Sequence, residues 1–339
     1  MIRRGLALLG ALAAFVVGRV LRIRRAHAVR AMRRAGVEDP EATVTAMYRN
    51  LGRGLAELFA LPPELPLEIV NEATLSAALA PGRGAVLCVA HTGNWDYVAC
   101  AAAARRPLTV VTKHLSVGVL DRVWQRIRTR RGVRLVAAGS AARAAQRALA
   151  RGECVAMMID QAPERTRGTT VAPFLNAPAR VDLAPALLAL RAGAPLVTVF
   201  PRRRADGRHQ AVVGVVHTPP PRARSASERA PLHAQPARAR SASEGAPLHT
   251  QPARARSASE GAPLHAQPAR ARSASEGAPL HTQPARARRE WAVRTLHDVT
   301  AELDAFVRAN PDQWLWMHRR WKDAPDPAAP LGATPADAT

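Results

Sequence analysis

Cysteine occurs three times in 339 residues, at Cys88, Cys100 and Cys154, with no C-x-x-C pair and no Cys/His ligand spacing. This scarcity argues against a disulfide framework and against a structural zinc site, and it points to a reducing compartment. Lysine is nearly missing as well. Lys113 and Lys322 are the only two, so the formal net charge of +23 rests almost wholly on arginine. Such an excess suits the phosphates of nucleic acid, lipid head groups or sugars, although a GC-rich coding sequence also enriches Arg and Ala. A nucleic-acid reading finds no helix-turn-helix, zinc or aromatic RNP-like signature to support it. The absence of G-x-S-x-G removes the serine hydrolases built on a nucleophile elbow. Long apolar runs are missing too: the N-terminal stretch from Gly5 to Gly18 has 14 uncharged residues, fewer than the roughly 20 of a spanning helix. Arg19 can snorkel and let Val20 and Leu21 extend it. Residues 1–25, flanked by Arg3, Arg4, Arg22, Arg24 and Arg25, are therefore expected to form a retained membrane anchor with a cytoplasmic charge bias. Ala26-His27-Ala28 resembles a signal-peptide cleavage site, but four arginines before it do not suit cleavage.

What the chain does have is one apolar run of strand length that ends in chemistry. Ala85-Val86-Leu87-Cys88-Val89-Ala90 leads into His91-Thr92-Gly93-Asn94-Trp95-Asp96, followed by the helix-forming run 97–104. The H-x4-D/E spacing alone is weak, because His297/Glu302 and His318/Asp323 repeat it. The former pair lies within a helical pattern, where five residues separate side chains by about 140°. The latter sits in a charged run near the C-terminus. Only His91 follows a buried-looking strand, and ligands of open α/β sheets gather at carboxyl ends of strands. The expectation is that His91 stands on the turn and hydrogen-bonds Asp96 in the first helical turn.

Strands and helices alternate around this stretch. Helical patterns cover 41–61, 71–80, 118–131, 141–150, 183–192 and 290–310. Strand patterns cover 108–112, 133–136, 154–159, 196–200 and 210–216, the last two reading as a hairpin. An α/β fold follows, with a central mixed sheet flanked by helices. A second polar pair, Asp160-Gln161, stands at the end of the 154–159 strand, and 162–171 reads as a loop. Residues 222–285 are four near-identical copies of a 16-residue unit, each with two prolines, one Leu and no aromatic. Stacked copies would bury almost nothing, so the segment is expected to be a disordered insertion. Its in-register His233, His249, His265 and His281 imply no preformed metal shell. Without the insert, residues 41–221 and 290–322 make one domain, and 323–339 a disordered tail. Three tryptophans among cationic residues, Trp314-Leu315-Trp316-Met317-His318-Arg319-Arg320-Trp321-Lys322, close it; they suit a membrane interface or a phosphate-bearing ligand, or else a capped core edge.

Taken together, His91-Thr-Gly-Asn-Trp-Asp96, Arg128-x3-Gly132, Asp160-Gln161, Val171-Ala-Pro-Phe174 and Trp316-Met-His-Arg-Arg-Trp-Lys322 resemble the late acyltransferases of bacterial lipid A biosynthesis, in the lysophospholipid acyltransferase superfamily. The chain departs from that pattern at Thr92, usually Phe, at Asp96, often Glu, and at Asn176, often Gly. The resemblance implies a membrane-anchored enzyme at the inner membrane, its catalytic domain on the cytoplasmic face. It would move an acyl group, without a cofactor or metal, from acyl carrier protein or acyl-CoA to a hydroxyl of a lipid A precursor. It assigns His91 as general base and Asp96 as the carboxylate that orients it. Arg128, Asp160, Gln161, Arg319 and Arg320 become candidate substrate-binding groups. Acylation of a lysophospholipid, ornithine lipid or other glycolipid, and a non-catalytic lipid-binding role, are the competing readings.

Overall fold

The strand Ala85–Val89 (β2) is apolar at every position and buried at nearly every one, which is what a parallel strand covered on both faces requires. In the computed structural model, which describes Gly10 and residues 24–113, 118–221 and 283–322, β2 occupies the middle of a seven-stranded sheet. The other strands are β1 (Glu68–Val70), β3 (Leu108–Thr112), β4 (Arg134–Ala137), β5 (Cys154–Met158), β8 (Leu196–Arg203) and β9 (His209–His217), and β6 (Thr169–Phe174) and β7 (Ala177–Asp182) form a separate antiparallel hairpin. The order across the sheet is β1-β9-β8-β2-β5-β3-β4. All neighbours are parallel except β8 and β9, so the sheet is mixed, as the alternating pattern predicts.

The helices are α1 (Arg25–Ala35), α2 (Pro40–Phe59), α3 (Glu72–Leu79), α4 (Trp95–Arg105), α5 (Gly118–Arg130), α6 (Ala141–Ala150), α7 (Ala184–Ala192) and α8 (Gln283–Ala309). They cover both faces of the sheet, and two apolar clusters result. One packs α1, α2, α6, α7 and α8 against β2, β5 and the β6–β7 hairpin; the other packs α4 against β2, β3, β8 and β9. Helix α1, the β6–β7 hairpin and the three-residue β1 are additions to the sequence pattern. Helix α8 starts earlier than its apolar periodicity suggests, supported by the Arg286–Glu290 pair one turn apart. The expected anchor and the repeat insert lie almost wholly outside the described residues, as does the tail. Among the described residues no helix is long and apolar enough to cross a membrane.

The turn after β2 is fixed by its glycine. Gly93 has φ +51°, and a Cβ there would lie 2.9 Å from the Pro201 carbonyl oxygen and 3.0 Å from the Arg202 backbone. The turn is thus pressed against β8 in a conformation other residues adopt only with strain. Gly93→Ala is expected to cost about 1–3 kcal/mol, read as a lower midpoint in denaturant unfolding.

Candidate active site

The parallel register of β2 and β5 sets the site. Cys88 pairs with Met157 and Val89 with Met158, and carrying that register two residues further puts His91 opposite Asp160. The two side chains meet: His91 Nδ1 lies 2.9 Å from Asp160 Oδ1 and 3.2 Å from Oδ2, and the His91 backbone N–H donates to Oδ2 at 3.0 Å. A carboxylate only accepts, so Nδ1 carries the proton and Nε2 is left as the basic nitrogen. Asp160 is fully buried. The indole Nε1–H of Trp314 donates to its Oδ2 at 3.0 Å.

Asp96 does not take the position that its spacing suggests. It does stand in the first turn of α4, whose N-cap Asn94 accepts from the Tyr97 N–H. Its carboxylate, however, accepts from Trp124 Nε1 at 2.9 Å and faces the Arg128 guanidinium at 3.7 Å. Arg128 is itself buried, donates to Thr112 Oγ1 and Gln125 Oε1, and lies over the Trp124 ring at 4.0 Å. The carboxylate at His91 Nδ1 is therefore Asp160, and Asp96 belongs to a second buried pair on α4 and α5. The reason is geometric: the β2–β5 register delivers Asp160 beside His91, whereas Asp96 in the first turn of α4 faces Trp124 and Arg128 of α5.

The C-terminal segment closes the site. Thr92 and Trp314 form an antiparallel bridge, Gly93 N–H donates to the Gln313 carbonyl, and Leu315 N–H donates to the His91 carbonyl. This brings the His318 ring to 4.8 Å from that of His91, edge to face, with Trp95 on another side at 5.1 Å. The Gln161 amide reaches His318 Nε2 at 3.3 Å. His318 and Trp314 are thus site residues that spacing alone did not find; the only signal was the density of tryptophan and charge around them. Arg320 is 1% exposed and donates to the Arg180 carbonyl, so it braces the C-terminal segment from inside the fold. Arg319 is exposed.

Burial pushes the His91 pKa down, while the charge and hydrogen bond of Asp160, and then the charge of Asp96, push it up; the balance lies above the ordinary 6.5. Asp160 moves the other way: burial raises it, but His91 and its hydrogen bonds hold it well below the usual carboxylate range. Burial and the neighbouring His91 bring His318 down to about 4, so it is a neutral imidazole at pH 7. Burial raises Asp96 against the opposing Arg128. Donor atoms of His91, Asp160 and His318 lie within 4.8 Å of one another and could surround a cation, but the His91–Asp160 hydrogen bond already engages two of them. A cavity of about 450 Å³ lined by Arg53, Glu57, Tyr97, Arg208 and His209 includes none of these three residues.

A mixed α/β sheet that presents a buried His–carboxylate pair at adjacent strand ends defines a protein equipped for proton transfer to or from a bound substrate. The family model described as bacterial lipid A biosynthesis acyltransferase matches residues 9–227, more than half of the chain. The chain belongs to this family of acyltransferases of lipid A and lipopolysaccharide biosynthesis. No curated protein matches the chain.

The pair makes a titration prediction. His91, followed by NMR of its labelled imidazole, should titrate above 6.5. In Asp160→Asn the largest upward influence is gone and burial dominates, so the titration should move to lower pH.

Proposed function

We propose that the chain transfers a fatty acyl group from a thioester, carried by acyl carrier protein or coenzyme A, to a hydroxyl of a lipid A precursor at the cytoplasmic face of the inner membrane. The observation that carries the mechanism is the His91–Asp160 pair, since it fixes the protonated nitrogen at Nδ1 and leaves Nε2 as the base. The acceptor oxygen attacks the thioester carbonyl as Nε2 removes its proton. The C–S bond then breaks, and the imidazolium returns the proton to the leaving thiolate. The products are an ester and a free thiol, and no acyl-enzyme is needed. Asp160 stabilises the imidazolium without itself becoming protonated, consistent with its depressed pKa.

Asp96 and Arg128 act on this centre by their field. The carboxylate favours the imidazolium and the guanidinium opposes it, so the pair adjusts the basicity of His91 from the α4–α5 side. Because Arg128 is committed to Asp96, Thr112, Gln125 and Trp124, the exposed Arg319 beside His318 is the better candidate for a substrate phosphate. His318, held by Gln161, packs an uncharged edge against the His91 ring.

The test is mass spectrometry of lipid A and total lipids from cells lacking the gene, then restored with the wild-type or His91→Ala chain. Loss of one secondary acyl chain, rescued by wild type alone, is expected, and purified His91→Ala should lose about 10²–10⁴-fold in transfer rate. Unchanged lipid A with an altered phospholipid or aminolipid would assign another acceptor to the same chemistry. A folded His91→Ala enzyme with near wild-type turnover would remove His91 from the mechanism.

A further inference from the structure

Helix α5 is turned inside out. At about 100° per residue, its side chains fall into three stripes. Asp121, Trp124, Gln125 and Arg128 share the inward side, where Asp121 and Arg128 are buried and Trp124 and Arg128 reach Asp96. Val119, Leu120, Val123 and Ile127 share a second side. Of these, Val119, Leu120 and Val123 are 61%, 57% and 41% exposed, half of the exposed large apolar side chains among the described residues. Arg122 and Arg126, both exposed, lie on the flank of that apolar stripe, and the exposed Arg130 closes its C-terminal end. An ordinary surface helix shows the reverse arrangement, apolar inside and charged outside. Here the interior side is polar because it serves the Asp96 pair, and the apolar residues face outward.

We propose that this outer face of α5 is the surface on which the catalytic domain rests on an anionic bilayer, with Val119, Leu120 and Val123 in the acyl boundary and Arg122, Arg126 and Arg130 at the lipid phosphates. An apolar stripe bordered by cations is the pattern of a helix lying in a membrane interface, and the arginines complement the negative surface of a cytoplasmic leaflet. The position of the helix gives the contact a consequence. The same helix that meets lipid outside holds Asp96 inside, so the site opens beside the membrane and a lipid acceptor reaches it laterally. Arg131, just past the helix, ties its end to the loop after α2 through the Leu61 and Pro63 carbonyls. The last turns of α2 carry two more exposed apolar side chains, Leu55 and Phe59. The inference deepens the proposed function by naming how its lipid partner is met, but the docking of α5 is measurable without turnover.

The experiment places an environment-sensitive fluorophore on the full chain at Leu120→Cys or, on the opposite flank, at Thr129→Cys; Cys88, Cys100 and Cys154 are buried and do not compete for label. Vesicles of phosphatidylethanolamine and phosphatidylglycerol are added. Emission from position 120 should move to shorter wavelength and be quenched by lipids brominated in the acyl chain, while position 129 remains in water. The His91→Ala chain should give the same signal, which separates this result from any failure of the catalytic reading. Arg122→Gln with Arg126→Gln should weaken the response at limiting vesicle on the order of tenfold, even if the N-terminal segment keeps the chain on the vesicle. The proposal is overturned if position 120 stays water-exposed on sedimented vesicles, if phosphatidylcholine alone gives an equal response, or if an acidic carrier protein shifts the emission and vesicles do not.

Discussion

The Asp160 carboxylate, with no exposure to solvent, is the constraint on which the site depends. A buried charge survives only if its desolvation is offset by donors and an opposite charge. Asp160 obtains these from two segments: the His91 backbone N–H and Nδ1 from the turn after β2, and the Trp314 indole from the C-terminal strand-like stretch. Each donor is also an organising contact, since satisfying Asp160 orients His91 and docks the C-terminal segment at the same time. The result is an imidazole whose Nδ1 is held by Asp160 and whose ring is bordered by Trp95 and His318. Preorganisation of this kind lowers the cost of reaching the reactive arrangement.

The second buried pair extends that order outward. Asp96 and Arg128 bind α4 to α5 through groups that could not remain buried separately. Asn94, the N-cap of α4, is held by Glu57, which also pairs with Arg203 and His209 and is brought down to about 2 against the upward push of burial. The turn carrying His91 is thus supported from α2, β8 and β9 as well as from β5. The candidate site and the packing around it share the same side chains here, and the inside-out composition of α5 is the visible trace of that sharing.

Much of this was legible in the residues. The apolar run 85–90 marks a strand buried on both faces, and the alternation after it defines an α/β sheet with the observed β3 and α6 limits. What the sequence could not supply was adjacency. His91 and Asp160 are 69 positions apart, and only the pairing of β2 with β5 makes them neighbours; the H-x4-D spacing favoured Asp96 because it is near in sequence. The spacing of His318 points to Asp323, in a charged run near the C-terminus; a backbone bridge from Thr92 to Trp314 brings His318 to the site instead. The β6–β7 hairpin lacks a turn signature in its sequence, because its turn puts Leu175 and Asn176 at φ +48° and +62°, where Asn-Gly or a similar pair is the usual signal. Leu175 is held in that conformation by burial and by the Asp304 carboxylate, which accepts its backbone N–H.

On the proposed mechanism His91 and Asp160 act as one catalytic unit. This is tested most directly by a double-mutant cycle in single-turnover acyl transfer, with His91→Ala, Asp160→Asn and the combined variant purified and shown to be folded. If Asp160 works through His91, the combined variant should be no slower than His91→Ala alone. Losses that add across the two sites would contradict the account and give the two residues independent roles.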